Sequence, residues 1–531
     1  MKKFTPKAER LPKLIIYGIA LLASLIYVGY RAIFTLPMNL RLIDIAFGLL
    51  ILAVELIEGL EFFVYFWNVL RYRKVSPKIP EFDFEKAPDV DVFVATLNES
   101  EELLAGTLRA CSKMEYPDKK KVHIYLCDDG ERDELRKLAK KYGATYLGRT
   151  KHDYAKAGNY NYAMKRSDSP YIAIFDADMR PRKSFLMKTV PFFAKYEKVG
   201  FVQTPQSFKN PDIFQARFGK KRPFEQDYFY HYIQLARNNT NSVILCGTNC
   251  VIDRAALKSV GGFAMATIAE DVATGMMIEE KGYRGIAIDN ILARGEAIDD
   301  TAGFLKQRSR WGRGCIQTAK AYGVFSRKNM SLSQKLDYFV AINYWTFGLK
   351  RLLFLMLPWL FACFGIIMIQ CDLNVFLLIF GTQYILKRFV IGFVEGRYKS
   401  STWTKVYELI QAPYLAGAIL KELLGFSDKK FVVTEKGGKK HRSATDWKLF
   451  LIHFALFALN AGSFVLAYYK MQLTGWNVYI IPMVWMAVNA GYLMLAMLFD
   501  LRKSKSYRNF EPNKVKRFGF GAFLGILWRG K

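Results

Sequence analysis

Tyr171-Ile172-Ala173-Ile174-Phe175-Asp176-Ala177-Asp178 is an apolar run followed at once by two acids one residue apart. A short unbroken run of this kind reads as a strand buried on both faces. The acids then sit at the strand's carboxyl end, the edge where open α/β sheets bind their ligands. The same arrangement occurs upstream. Val122 to Cys127 (VHIYLC) ends on Asp128-Asp129-Gly130, and Val90 to Thr96 (VDVFVAT) reads as a further strand. Asp133 to Tyr142 carries a helical pattern between the second and the first of these. Strand–helix alternation predicts an α/β domain with a largely parallel sheet.

The acids suggest a chemistry. A hard divalent cation, Mg²⁺ or Mn²⁺, takes one or two carboxylates and fills its shell with phosphate oxygens and water. Asp176 and Asp178 can supply the carboxylates, although an Asp-rich turn is the ordinary alternative. Asp128 and Asp129 can accept hydrogen bonds from a base or ribose. Lys156-Ala157-Gly158-Asn159 can put a cation beside a diphosphate, or be a solvated turn. Glu270-Asp271 opens a helical run, Val272 to Lys281, where acids favour the helix N-terminus. Asp271 is also placed to act as a general base, accepting a hydroxyl proton as a glycosidic bond forms. Gln307-Arg308-Ser309-Arg310-Trp311 joins phosphate-forking guanidinium groups to an aromatic face on which a sugar can stack. Trp311 equally suits a membrane interface.

The flanks of this region are apolar. Spans are expected at about Leu14 to Phe34, Ile43 to Leu70, Trp345 to Ile369, Val375 to Val394, Leu449 to Tyr469 and Val478 to Phe499. Each approaches the ~20 residues that cross a bilayer. The expected layout is two spans in residues 1–74, a soluble domain over 75–330, four spans with interface helices over 331–500, and a basic tail over 501–531. Thr404 to Gly425 is amphipathic and contains Pro413, which reads as a bent interfacial helix. Lys2, Lys3, Lys7, Arg10 and Lys13 precede the first span, and Arg71, Arg73 and Lys74 follow the second. Positive flanks lie inside. The soluble domain and both termini are therefore expected in the cytosol, with the chain in the plasma membrane. No cleavable signal peptide is expected, because the first apolar stretch is long and lacks a small-residue cleavage site.

Lys+Arg outnumber Asp+Glu by 77 to 47, while 52 % of residues are hydrophobic. That pairing fits a membrane protein with a basic inner face, in contact with anionic lipids, and argues against a nucleic-acid binder. Seven scattered cysteines form no CxxC pair and read as buried thiols in a reducing compartment. Glu55, Glu58 and Glu61 fall three residues apart on the second span. Intramembrane acids are functional suspects. They could line a hydrated polysaccharide path or pair with Lys350, Arg351, Lys387 or Arg388.

The ordered set DDG, KAGN, DAD, QTP (Gln203 to Pro205), ED and QxxRW resembles the processive enzymes of glycosyltransferase family 2. Phe431-Val432-Val433-Thr434-Glu435-Lys436 is similar to the FxVTxK gating loop of bacterial cellulose synthase catalytic subunits, and Tyr407 to Ile419 to that family's interface helix. The resemblance runs from about Val90 to Phe499. It implies an α/β GT-A (Rossmann-like) cytosolic domain inserted in an α-helical membrane domain of about six spans. It implies that Thr96, Glu99, Asp128, Asp129, Lys156, Asp176, Gln307, Arg308 and Arg310 bind substrate, that Asp178 holds Mg²⁺ or Mn²⁺, and that Asp271 is the base. Trp311 would be the acceptor platform. Phe431, Thr434 and Lys436, in a loop at about 428–442, would close over bound UDP.

The expected reaction polymerises glucose from UDP-glucose with inversion into a linear β-glucan, which is translocated. The expected partners are UDP-glucose, the growing β-glucan chain and membrane lipids, with accessory secretion subunits unspecified. The chain departs from the cellulose synthase pattern at four points, of which the last two lie where the acceptor hydroxyl would be oriented and so concern the linkage. Leu97 replaces an aromatic that faces uracil, Met179 a metal-contacting histidine, and Ala269 the threonine of TED; Ile244 to Asn249 replaces FFCGS. Mixed β-1,3/β-1,4 glucan thus competes with cellulose-type β-1,4. A chitin- or hyaluronan-like synthase and a non-processive lipid glycosyltransferase are the alternative enzymes. A catalytically dead sugar-binding subunit is disfavoured by the intact Asp128, Asp178 and Asp271. About thirty residues follow the last span, so the cyclic di-GMP-binding PilZ barrel, a domain of ~100 residues, is not expected.

Overall fold

A computed structural model describes residues 10–71, 76–219, 224–298, 300–394, 401–426, 446–475 and 477–503. The expected strands are present as β1 (Val90–Thr96), β2 (Val122–Asp128) and β4 (Tyr171–Asp176), joined by β3 (Ala144–Gly148), β5 (Arg180–Pro181), β6 (Val199–Gln203), β7 (Cys250–Asp253), β8 (Arg284–Ala287) and β9 (Ala293–Arg294). Seven of them form one sheet in the order β3-β2-β1-β4-β7-β6-β8, and β5 pairs with β9 separately. β3, β2, β1 and β4 are parallel neighbours, so β1 and β4 end on the same edge as β2. β7 runs antiparallel to β4 and β6, which makes the sheet mixed on that side. A mainly parallel, Rossmann-like α/β domain between groups of apolar helices is thus the architecture.

β1 explains its own unbroken apolar run. Val90, Val92, Phe93 and Val94 are all fully buried because helices cover both faces of the sheet. The one acid in the strand, Asp91, is equally buried and is held by Arg254 Nη2, by the Ser169 hydroxyl at 2.7 Å and by the Ser169 N–H at 3.2 Å. A buried carboxylate needs such partners.

Among the described residues five helices are long and apolar enough to cross a membrane: Leu14–Phe34, Leu332–Phe364, Leu373–Ile391, Trp447–Thr474 and Asn477–Leu501. The expected second span is a helix of 30 residues, Leu42–Arg71. Its Asp44, Glu55, Glu58 and Glu61 separate it from the other five, so the described residues give five such helices where about six spans are expected. The expected span at Trp345 to Ile369 overlaps the apolar helical stretch Leu332–Phe364, whose last segment is the helix Phe347–Phe364.

The expected interface helix is Ser401–Leu423, with Pro413 inside it. It packs against three helices: Phe347–Phe364, Thr301–Tyr322 and Ile480–Leu501. Tyr407 stacks on Phe214 of the α/β domain with ring centroids 3.9 Å apart. Leu415 and Ile419 join Ile244, Met276 and Tyr338 in one buried cluster. At its end, the Glu422 carboxylate accepts from Arg313 Nε and Gln317 Nε2, both at 3.1 Å. This helix therefore seats the α/β domain on the apolar helices.

Candidate active site

The carboxyl end of β4 is bound to a distant loop. The Asp176 N–H donates to Thr248 Oγ1 at 2.9 Å. Lys156 Nζ donates to Asp176 Oδ1 at 2.6 Å and to the Gly247 carbonyl at 2.8 Å. Burial pulls the Lys156 ammonium down, but Asp176, Tyr160 and Glu270 outweigh it and hold it well above the usual lysine range. Lys156 therefore stays charged beside the acids. Asp178 is buried, and its Oδ2 accepts the Glu296 N–H at 3.2 Å. Met179 Sδ takes the Asn249 amide at 3.6 Å in the core.

Among the described residues no three His, Cys, Asp or Glu side chains gather as a cation cage. Asp176 and Asp178 both line the cavity described below. A two-carboxylate site completed by phosphate and water fits Mg²⁺ or Mn²⁺ chemistry.

Asp128 and Asp129 part company. Asp128 is fully buried and wholly engaged. It accepts from the N–H groups of Gly130 (3.0 Å) and Arg132 (2.9 Å), from Arg132 Nη2 (2.8 Å) and from the Tyr146 hydroxyl (3.0 Å). Arg132 also reaches Thr96 Oγ1 at 2.8 Å and the Glu99 carbonyl at 2.6 Å. Glu99 Oε2 takes the Thr96 hydroxyl and the Leu97 N–H, both at 2.8 Å. Asp129, paired with Arg149 Nη2 at 2.9 Å, lines the cavity together with Thr96, Leu97 and Glu99.

Glu270 and Asp271 occupy the first turn of the helix Glu270–Glu280. Burial raises both carboxyls above the ordinary range, and each faces the charges of Lys156 and Arg310. Asp271 Oδ1 accepts the Val272 N–H at 2.8 Å. Gly247, at φ +65°, allows Asp271 its close approach. Gln203 orders this loop: its Nε2 donates to the Thr248 carbonyl and its Oε1 accepts the Cys246 N–H, both at 2.9 Å. Thr204 Oγ1 donates to the Asn249 carbonyl, also at 2.9 Å. The QTP triplet is thus the scaffold of the Cys246–Asn249 loop, a role that the residue types alone did not disclose.

The helix Thr301–Tyr322 carries the QxxRW residues. Arg308 is buried, salt-bridged to Glu225 at 2.6 Å, and its guanidinium lies 4.2 Å from the Trp311 ring centroid. Gln307 Oε1 accepts from Arg308 Nη1 at 3.2 Å. Trp345 meets Trp311 edge to face, with centroids 6.2 Å apart. Arg308 therefore stiffens Trp311, while Arg310 acts electrostatically on Glu270 and Asp271. Phe431, Thr434 and Lys436 lie outside the described residues.

A continuous cavity of about 2640 Å³ contains Lys156, Asp176, Asp178, Asp271, Gln307, Arg310 and Trp311. Its lining also includes Glu55, Glu58, Glu61, Phe354, Trp485 and Tyr492 of the apolar helices. The acids of the helix Leu42–Arg71 differ in their partners. Glu61 takes Lys350 Nζ at 2.8 Å, as the charge pattern allowed. Glu55 instead takes Arg31 Nε at 3.0 Å and the Tyr27 hydroxyl at 2.7 Å, and Arg351 goes to Glu408 at 2.6 Å. Arg31 is fully buried in the first helix and serves Glu55 as its counter-charge.

Residues 88–314 match the family model described as glycosyltransferase like family 2. The chain is 31 % identical over 453 residues to a UDP-forming cellulose synthase catalytic subunit of Pseudomonas fluorescens, covering 85 % of this chain and 61 % of that protein. It is 32 % identical over 471 residues to the corresponding subunit of Xanthomonas axonopodis pv. citri, covering 88 % of this chain and 64 % of that protein. The chain thus spans less than two thirds of the length of these relatives. A solved mannosyltransferase of Pyrobaculum calidifontis, in complex with GDP-Man and Mn²⁺, is 21 % identical with a TM-score of 0.49, covering 73 % of this chain and 100 % of that one.

Proposed function

We propose, from the match of residues 88–314 to the model described as glycosyltransferase like family 2 and from the site's geometry, that this protein is a processive, inverting synthase. It polymerises glucose from UDP-glucose into a linear β-glucan and passes the product across the plasma membrane. The observation that carries this reading is the cavity, which holds the DxD acids, Asp271 and Trp311 and is also lined by residues of the apolar helices. The likeness to UDP-forming cellulose synthase subunits supports the donor and a cellulose-type product. Mixed β-1,3/β-1,4 linkage is the finer possibility raised by Ala269, Thr248 and Asn249.

In this mechanism Trp311 presents the terminal sugar of the chain, held by its packing on Arg308 and Trp345. Asp271 accepts the proton of the acceptor hydroxyl as that oxygen bonds to the anomeric carbon. The bond from that carbon to the diphosphate oxygen breaks, and UDP leaves with the electron pair. Lys156 and Arg310 face the diphosphate. Asp178, with Asp176 beside it, would hold Mg²⁺ or Mn²⁺, which neutralises the leaving group when bound. A raised Asp271 pKa suits proton acceptance from an alcohol, since basicity rises with pKa.

The full chain in detergent, given Mn²⁺ and either UDP-glucose or UDP-N-acetylglucosamine, tests the reading. Polymer from UDP-glucose is expected. Polymer from UDP-N-acetylglucosamine alone would replace it with a chitin- or hyaluronan-like activity.

A further inference from the structure

Tyr154 and Ala155, two consecutive residues with side chains, hold left-handed backbone at φ 61° and 46°. Residues with a Cβ adopt this region rarely, and such outliers persist where the surroundings over-determine them. The surroundings here are specific. Arg149 Nη1 donates to the Asp153 carbonyl and Nη2 to the Ala155 carbonyl, both at 2.8 Å, while Nη2 also pairs with Asp129 at 2.9 Å. Gly158 closes the clamp from below, since a Cβ there would lie 2.1 Å from the Asp153 carbonyl oxygen.

The strain does not bury the tyrosine. Tyr154 is 61 % exposed, although it immediately precedes the helix Ala155–Met164. It lines the cavity with Thr96, Leu97, Asp129 and His152. Two residues on, Lys156 and Asp176 mark the end where a diphosphate is neutralised. Asp129 is tied to the same Arg149 that holds the Asp153 and Ala155 carbonyls. A nucleotide with its phosphates at Lys156 extends its base toward this rim.

We propose that Tyr154 is the platform on which the nucleobase of the donor stacks. The inference rests on the nucleotide-sugar reading above. Every base offers a π-face, and a tyrosine on a clamped backbone has only two side-chain torsions to fix when a base covers its ring.

The test measures binding of UDP and of inorganic pyrophosphate by calorimetry, with Mn²⁺, to the full chain and to its Tyr154→Phe and Tyr154→Ala variants. Truncation is expected to weaken UDP roughly tenfold, the scale of base–aromatic stacking. Phenylalanine is expected to keep wild-type affinity, and pyrophosphate, which has no base, to bind all three proteins alike. Unchanged UDP affinity in Tyr154→Ala would overturn the inference and leave the donor reading standing. An equal loss for UDP and pyrophosphate would overturn it too, because the ring would then only prop the loop. Failure of the wild-type chain to bind UDP would remove the donor reading, and this inference with it.

Discussion

Gly247 lies directly under Asp271: a Cβ on Gly247 would sit 2.8 Å from Asp271 Oδ2. The glycine is also at φ +65°, where a side chain is strained. Gly247→Ala must therefore displace the carboxylate that accepts the hydroxyl proton. A misplacement of about 1 Å at a reacting group can cost on the order of 10² in rate. Initial rates of UDP release should show kcat falling on that scale, with KM for UDP-glucose little changed. A kcat equal to wild type would separate Asp271 from the chemistry.

Thr248 connects the same loop to the metal-binding end. Thr248→Val keeps the shape but removes the acceptor that holds the Asp176 N–H at 2.9 Å. Loss of a buried hydrogen bond costs about 1–3 kcal/mol when a group is left unsatisfied. The Mn²⁺ concentration for half-maximal UDP binding should rise several-fold, and Thr248→Ser should restore it. An identical Mn²⁺ titration for valine and wild type would show that this bond does not position Asp176.

Acidification should slow the enzyme. Asp271 works deprotonated, and burial raises its pKa above the ~3.9 of an exposed aspartate. The acid limb of the kcat profile should therefore lie above that value, at an apparent pKa belonging to the Glu270–Asp271 pair. Stability runs the other way. The folded pair binds protons more tightly than the unfolded chain, so its contribution is complete below the unfolded carboxylate range and is lost as pH rises through the raised values. A rate that is flat down to pH ~4 would contradict the burial argument.

Fold stability depends on a pair far from the chemistry. Arg254 is buried against Asp91 and also donates to the carbonyls of Ser169, Met164 and Ser167. Arg254→Met leaves the Asp91 carboxylate buried without its counter-charge, a change worth about 3–5 kcal/mol. Thermal unfolding followed by intrinsic fluorescence should show a clearly lower Tm. Adding Asp91→Asn should recover part of the loss, because it removes the stranded charge.

Much of the domain was legible because β1, β2 and β4 are apolar runs ending in acids or in Thr96. Cys250–Asp253 was not, since four residues carry no period and their pairing with β4 joins segments some 80 residues apart. The site's acids were legible by residue type. The bonds that assemble them were not, because Asp176 and Thr248 are 72 residues apart. The division between Arg308 and Arg310 carried a readable signal. Residues two apart on a helix face away from each other, while residues three apart are neighbours. Arg308 accordingly lies on Trp311, and Arg310 turns to the acids.

The most direct test of processive synthesis along one cavity is product length at early turnover. The purified chain, with added primer in large excess over it, would be given Mn²⁺ and radiolabelled UDP-glucose, and the products sized within the first few per cent of conversion. Processive synthesis predicts long β-glucan beside unextended primer from the earliest times, with no polymer from the Asp271→Asn variant. A ladder of short products that lengthen together, or a lipid-linked mono- or disaccharide, would contradict it.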